Sequence, residues 1–457
     1  MKHKLHKVGL VLLGVIAGVL LSLNYSAIAQ KASSPLPVEE LREFAEVFGA
    51  IKNNYVEPVS DKTLITGAIN GMLSDLDPHS AYLDRADYRE LQVGTQGEFG
   101  GLGIEVGMED GFVKVISPIE GTPAFKAGIK PGDLIIRLDD TPVKGMSLND
   151  AVKRMRGKPD TTIKLTVLRK GESKPLEFTL KRAVIKVQSI RSKMVQPGYG
   201  YLRVVQFQER SGEDLAQHIK TLYKNGPLKG LVLDLRNDPG GLLNGAVGIA
   251  AAFLPPESVI VTTDGRTADA KRKYVANPDD YLRGSSVDYL KGLPAAIKTV
   301  PMVVLVNGGT ASASEIVSGA LQDHKRALIM GTQTFGKGSV QTIIPLGNNT
   351  AIKLTTARYY TPNGRSIQLK GITPDIVVEE PGIDGHAFLR EADLNKHLSN
   401  DKDPNAGTEK PAAQPGNEPG SENREAPVKP IEFGSDKDYQ LMQAINMLKG
   451  LQILEGH

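Results

Sequence analysis

Three stretches of this sequence are almost continuously apolar, and each runs into a glycine-marked bend: KGLVLDLRND at 229–238, VPMVVLVNGG at 300–309 and RALIMG at 326–331. A strand with one wet face alternates polar and apolar residues. A strand that is apolar throughout has to be covered on both faces, which is the pattern of a parallel sheet between layers of helix. The intervening segments fit: GLLNGAVGIAAAFL is a helix stopped by Pro255-Pro256, and ASASEIVSGALQD is a second helix. Residues 181–397 are therefore expected to form an α/β domain of parallel strands and helical crossovers. The segment TADAKRKYVANPDDYLRGSSVDYLKG breaks the rhythm and reads as a surface insertion.

At 457 residues the chain has room for two or three domains. Residues 93–180 change character. GLGIEVGMEDGFVKVISPI alternates around a Glu-Asp-Gly turn, AGIKPGDLIIRL is a tight turn and a strand, and TTIKLTVLRKGE is another strand. Between them SLNDAVKRMRG starts a helix with Ser147 and Asp150 placed as a capping box. This is a complete small α+β domain. Ahead of it, residues 35–92 form a helical region, with Leu41, Phe44, Ala45, Phe48 and Ile51 at helical spacing. Residues 398–430 are Pro, Gly, Asn and Glu with almost nothing apolar, the composition of a disordered linker. Residues 431–457 carry one last amphipathic helix, with Leu441, Ile445, Leu448 and Leu451 on a stripe. That stripe packs on the chain's own core or on another subunit, and the sequence leaves both open.

Residues 1–29 hold Lys2, Lys4 and Lys7, a 16-residue uncharged apolar run from Val8 to Leu23, and the small-x-small end Ala27-Ile28-Ala29. This is the layout of a cleaved secretory signal peptide; the run is short for a membrane span, which needs about 20 residues. The chain has 55 Lys and Arg against 52 Asp and Glu, and the three basic residues of the leader account for the difference. A neutral exported chain has no electrostatic footprint for nucleic acid. Cysteine is absent, so no disulfide, thiol nucleophile or thiolate metal site is available.

GTQTFGKGSVQ at 331–341 nearly spells a phosphate-binding loop. Such a loop needs a helix after it, yet GSVQTIIPLGNNTAIKLTTARYY alternates with period two and turns at Asn348-Asn349. It is a hairpin, and Gly338 stands where a Mg²⁺-binding Ser or Thr belongs, so a nucleotide site is excluded. Lys337 instead sits between two glycines among apolar residues, where desolvation lowers a lysine pKa. In VNGGTASASEI a strand ends, the backbone bends at Gly308-Gly309, and a helix begins near Ser312. A serine hydroxyl there lies beside unsatisfied helix N–H groups, the setting of a nucleophile and its oxyanion hole. Thr310, Ser312 and Ser314 are equally suited to plain N-capping. Of eight histidines only His324 lies nearby in sequence, among charged neighbours at the helix end. A neutral lysine is the better base, since serine–lysine pairs are an established form of the triad logic.

The run NGGTASASEIVSGALQDHKRALIMGTQTFGKGSVQ resembles the active-site region of the carboxyl-terminal processing proteases, the tail-specific Ser-Lys peptidases. The family pattern S-A-S-A-S-E is met here with Thr310 in place of its first serine. The resemblance implies that Ser312 is the nucleophile, Lys337 the base and Gln341 the residue that orients the lysine, with no metal or cofactor. It implies an α/β spiral core like that of crotonases carrying an inserted PDZ domain. Gln341, four residues after Lys337, would share its strand face and reach the amine. Ala313 N–H is the expected first oxyanion donor, and Gly240 or Gly241 of DLRNDPGG the second. Asp323 matches an acidic family position and is equally a helix-end aspartate beside Lys325 and Arg326.

Residues 93–180 resemble a PDZ domain on the strength of Gly101-Leu102-Gly103-Ile104 followed by A-G-I-K-P-G-D-L-I-x-x-L. Leu102, Gly103 and Ile104 would present backbone N–H groups to a substrate's C-terminal carboxylate. The binding groove would lie between the following strand and the 147–156 helix. Arg156 is a candidate contact between this domain and the peptidase core, or a solvated helix-end arginine. The expected function is that of an exported, periplasmic serine endopeptidase that grips C-terminal tails. Family resemblance adds gating by substrate or by a helical-repeat lipoprotein adaptor, and the apolar faces of the terminal helices point to a homo-oligomer formed through them. The alternative is a catalytically silent PDZ scaffold.

Overall fold

The computed structural model describes residues 36–119, 121–282, 287–381, 389–407 and 433–455. The expected leader and most of the expected linker lie outside them. The chain divides into two compact units, residues 1–71 and 72–457. The first contains α1 (Val38–Asn54), anticipated from its periodicity, and most of α2 (Asp61–Ser74). Glu39 and Glu40 in the first turn of α1 and Lys52 in its last complement the helix dipole. No residue of α1 is buried, and Leu41 and Phe44 stay about half exposed.

The second unit opens with β1 (Ala81–Leu83) and α3 (Arg85–Gln96). Asp84 caps α3 by accepting from Ala86 and Asp87 N–H, and Gly97 ends it at φ 72°. Next come β2 (Glu98–Gly101), β3 (Ile104–Glu109), β4 (Phe112–Pro118), α4 (Pro123–Lys126), β5 (Leu134–Leu138), β6 (Thr141–Pro142), α5 (Leu148–Met155), β7 (Thr162–Leu168) and β8 (Leu176–Lys181). The sheet runs β3-β4-β5-β7-β8, with β6 paired to β5. Ser147 caps α5, its hydroxyl accepting from Asp150 N–H at 3.1 Å, as the capping-box spacing predicts. Val113, Val115, Ile135, Leu138, Ile163 and Leu165 fill the core beneath the sheet. Because β3 is an edge strand, its outer hydrogen-bonding side is open to an added strand.

The remaining elements are β9 (Ala183–Lys186), β10 (Ile190–Gln196), β11 (Tyr199–Val204), α6 (Ser211–Leu222), β12 (Gly230–Asp234), α7 (Leu243–Phe253), β13 (Val259–Gly265), β14 (Arg272–Val275), α8 (Pro278–Tyr281), β15 (Met302–Val306), α9 (Ala313–Asp323), β16 (Leu328–Gly331), β17 (Ser339–Leu346), β18 (Thr350–Tyr360), β19 (Ile376–Val377) and α10 (Tyr439–Glu455). The central sheet runs β10-β11-β12-β15-β16-β19, parallel from β11 onward. The apolar runs are covered on both faces, as expected. Leu231, Leu233, Val304 and Val306 pack with α6, α7 and α9, while Val232, Val303 and Leu305 face Leu441, Ala444, Ile445 and Leu448 of α10.

The C-terminal stripe is therefore spent on the chain's own core, which removes its main part from the expected subunit contact. Arg236, fully buried, locks the junction: its guanidinium bonds Asp234, Asp438 and Gln440. Two further expectations are corrected. The insertion is integrated, since β14 extends the second sheet (β1-β18-β13-β14, with β17 on β18) and Tyr281 is buried. Residues 398–407, assigned to the linker, pack on the core through Asn400, whose Nδ2 donates to Gln368 O at 2.7 Å.

Candidate active site

Ligands of parallel α/β sheets bind beyond the carboxyl ends of the strands. Here β12 leaves the sheet into 235–241, β15 into 307–312 and β16 into 332–338. Side chains stitch these loops together. Asn307 Oδ1 accepts from Asn237 N–H at 2.9 Å and from Gly309 N–H at 3.1 Å, and its Nδ2 donates to Asn237 Oδ1 at 2.8 Å. Thr310 Oγ1 donates to Leu235 O at 2.8 Å and accepts from Asn307 N–H. The threonine that replaces a family serine thus ties two loops together from a fully buried position.

Ser312 sits at the turn into α9 with φ 56° and ψ −113°, a strained conformation for a residue with a Cβ. It is partly exposed. Ser314 is fully buried, and its hydroxyl donates to Asp238 O at 3.1 Å. Of the three hydroxyls the sequence left open, only that of Ser312 is neither buried nor consumed by a loop carbonyl. It lies against the Tyr359 hydroxyl, which itself donates to Lys337 O.

Glu315, fully buried one turn into α9, organises the site. Its Oε2 accepts from Ser312 N–H at 2.7 Å and Lys337 N–H at 3.0 Å; its Oε1 accepts from Thr334 Oγ1 at 2.5 Å and Gly336 N–H at 2.7 Å. Burial pushes this carboxyl up to about 7, against the pull of the four donors. Lys337 follows directly. Burial, seconded by Lys353, lowers its amine to about 8, while Glu391, Glu315 and Asp77 pull the other way. Roughly one lysine in ten is then neutral at pH 7.

The loop around Lys337 is held from behind. Glu391 N–H donates to Phe335 O at 3.1 Å. The buried Glu391 carboxylate accepts from His79 Nε2 at 2.8 Å and from Gln368 Nε2 at 3.0 Å, and Gln368 Oε1 accepts from Gly338 N–H at 2.9 Å.

Gly240 lies beside the turn: a Cβ there would be 2.8 Å from Ala313 N and 2.9 Å from Ser312 Cβ. Its own N–H is engaged, donating to Asp238 Oδ1 at 2.9 Å. Of the expected oxyanion donors, the N–H groups of Ala313 and Gly241 are left uncommitted among the described residues. Gln341 does not bond Lys337. Its Nε2 donates to Ser339 Oγ at 3.0 Å and Thr355 Oγ1 at 3.2 Å, and Thr355 Oγ1 donates to Asp77. The face-sharing argument fails because Lys337 precedes β17, so the period-two alternation of the strand does not extend to it.

Leu102, Gly103 and Ile104 form the turn into the edge strand β3. Gly103 has φ 74°, and its carbonyl accepts from Ile119 N–H and Thr122 Oγ1, while the N–H groups of Leu102 and Gly103 have no acceptor among the described residues. Ile104, Leu148 and Val152 are partly buried around the α5–β3 groove. Arg156 caps α5, and its guanidinium lies 4.6 Å over the Phe99 ring of β2, the strand paired with β9, and 4.0 Å from Glu90 of α3. Asp323 holds Arg365 and Asn363 N–H, a structural role.

Sequence reasoning missed Glu315, although Ser312-x-x-Glu315 is the capping-box spacing already recognised at Ser147. Asp77, Tyr359 and Glu391 carried no local signal, being brought in from distant segments.

Comparison with known proteins agrees with this architecture. Residues 198–378 match the model of peptidase family S41, residues 100–180 that of the PDZ domain, and residues 19–87 that of the activating protease CtpB N-terminal domain. A carboxy-terminal-processing protease of Bartonella bacilliformis is 45% identical over 405 residues, covering 86% of this chain and 89% of the relative. The carboxy-terminal processing protease CtpB of Bacillus subtilis is 36% identical, covering 74% and 67%. A solved photosystem II D1 C-terminal processing protease is 32% identical, covering 75% and 94%, with a TM-score of 0.42. With such identity sustained over most of both chains, this chain belongs to the carboxy-terminal processing proteases of peptidase family S41.

Proposed function

We propose that the chain is a serine endopeptidase in which Ser312 is the nucleophile and Lys337 the general base, and that it selects substrates by their C-terminal tails. The observation that carries this reading is the pairing of a strained, accessible serine with a desolvated lysine, both fixed by the Glu315 carboxylate. In the reaction Ser312 Oγ attacks the scissile carbonyl carbon and its proton passes to the neutral Lys337 amine. The carbonyl oxygen becomes an oxyanion facing Ala313 and Gly241 N–H, donors of a kind worth about 10²–10³-fold each. The resulting Lys337 ammonium protonates the leaving amine, and water, with Lys337 again as base, hydrolyses the acyl-enzyme.

Tail recognition rests on the uncommitted N–H groups of Leu102 and Gly103 and on the free edge of β3. Export to the periplasm rests on the leader. The present bonds of Gln341 favour a resting arrangement: its amide has to leave Ser339 and Thr355 to meet the lysine, a step that tail binding or an adaptor would drive. The deciding experiment compares the purified protein with Ser312→Ala on an unstructured protein substrate, with products identified by mass spectrometry. Cleavage by the wild type alone supports the assignment. Equal cleavage by both moves the nucleophile elsewhere, and tail binding without cleavage by either favours the silent scaffold.

A further inference from the structure

Asp238 is buried at the heart of the site and takes no part in the reaction sequence above. It has no exposed surface. Its Oδ1 accepts from Gly240 N–H, and its Oδ2 is buried without a hydrogen-bond partner. Its backbone carbonyl accepts from Ala311 N–H and Ser314 Oγ, so the residue spans the β12 loop and the nucleophile turn. Among the described residues no cation pairs with it. From β11, Arg203 is bound to Asp234, and from the end of β12, Arg236 is bound to Asp234 and Asp438. On α9 the neighbouring charge, Glu315, is committed to Ser312, Thr334, Gly336 and Lys337.

A carboxylate in such a place would be a buried charge with one oxygen unsatisfied, which is strongly unfavourable. It would also stand two residues from Gly240, beside the position where the oxyanion forms. We propose that Asp238 works as a neutral carboxylic acid, a positioning residue that holds the Gly240–Gly241 turn against Ala313 without placing negative charge next to the oxyanion. This rests on the oxyanion assignment above. Burial agrees, raising the group to about 8 against the pull of the Gly240 N–H, the Ser314 hydroxyl and Arg203, with Asp234 pushing up.

Ionisation of Asp238 then switches the site off from the alkaline side. Cleavage rises as Lys337 loses its proton and falls as Asp238 loses its own. Glu315, raised to about 7, acts on the acid side only. A stability signature accompanies this. Between pH 4 and 8 the folded state holds a proton on Asp238 that the unfolded chain has released, so Asp238 lowers stability progressively across that range and no further above it.

The test uses the full protein as wild type, Asp238→Asn and Asp238→Ala, with cleavage followed from pH 6 to 10 and Tm from pH 4 to 9. The neutral isostere is expected to retain cleavage at pH 7 and lose the alkaline fall, whereas the alanine variant, lacking the acceptor for Gly240, drops by at least about tenfold. The Tm advantage of Asp238→Asn over wild type is expected to widen from pH 4 to about pH 8 and then level. Parallel Tm curves, an unfolded Asp238→Asn, or an alkaline limb unchanged in it would overturn the proposal. The Tm curves decide even where neither wild type nor Ser312→Ala cleaves, which separates this failure from failure of the peptidase assignment.

Discussion

Ser312 and Lys337 donate their backbone N–H groups to the same oxygen, Glu315 Oε2, at 2.7 and 3.0 Å. Two residues 25 positions apart in the chain are thereby fixed by a single acceptor, and each side chain is set by the backbone so anchored.

Replacing Glu315 by Gln tests that clamp. A glutamine offers one acceptor oxygen where the carboxylate has two, and its NH₂ would confront N–H donors. Leaving buried donors unmatched costs about 1–3 kcal/mol. Thermal unfolding should register this loss, and kcat should fall more than KM rises, because the displaced groups are the proposed nucleophile and base.

As the proposed base, Lys337 should set the acid side of the pH profile. Cleavage should increase with pH up to about 8 as the amine loses its proton, the Asp238 limb setting in above that. Stability carries the opposite mark of the same burial. Below pH 8 the folded protein bears a buried ammonium that the unfolded chain would hydrate, so the lysine is destabilising there. From about pH 8 to 10.5 the folded state has shed the proton while the unfolded state retains it, and the penalty fades. Lys337→Met should therefore be inactive yet more stable by about 1–3 kcal/mol at pH 7, allowing for the partial exposure of the side chain, and gain nothing near pH 10.5. Calorimetry at the two pH values checks both limbs.

Arg236 should tolerate no truncation. Arg236→Ala leaves Asp438 as an uncompensated buried carboxylate, strips Asp234 of one of its two arginines and frees the start of α10, a loss of about 3–5 kcal/mol. Chemical denaturation measures it. Ile445→Asp should destabilise by a different route, through charge in the α10 interface, and the two effects should not add, since both release the same helix.

Gly103 is required by conformation and by space. It has φ 74°, and a Cβ there would come within 2.3 Å of the Thr122 side chain. Gly103→Val should weaken binding of a peptide bearing a free C-terminus by at least about tenfold while leaving hydrolysis of a short untethered peptide nearly intact. Fluorescence anisotropy with the peptide and its C-terminal amide separates carboxylate capture from general groove contact.

What the sequence determined by itself was everything written in local order. The doubly apolar runs at 230–234 and 302–306 specify strands buried on both sides, and the Ser147 and Asp84 caps and Gly97 fix helix ends. The bend before Ser312 and the hairpin after Lys337 were legible because turn chemistry and periodicity act over a few residues. The tertiary structure alone decided which hydroxyl stays accessible, since Thr310 and Ser314 are consumed by carbonyls of the β12 loop 70-odd residues away. It also placed α10 as the second cover of the sheet, a choice its apolar stripe could not make between its own core and another subunit. Gln341 shows the limit most clearly. The four-residue spacing that would put it on the face of Lys337 holds only along a strand, and β17 begins at Ser339, after the lysine. The environment of Lys337 was likewise out of reach: Asp77, Glu315, Lys353 and Glu391 converge on it from four separate segments, and a pKa is the sum of what folding brings near.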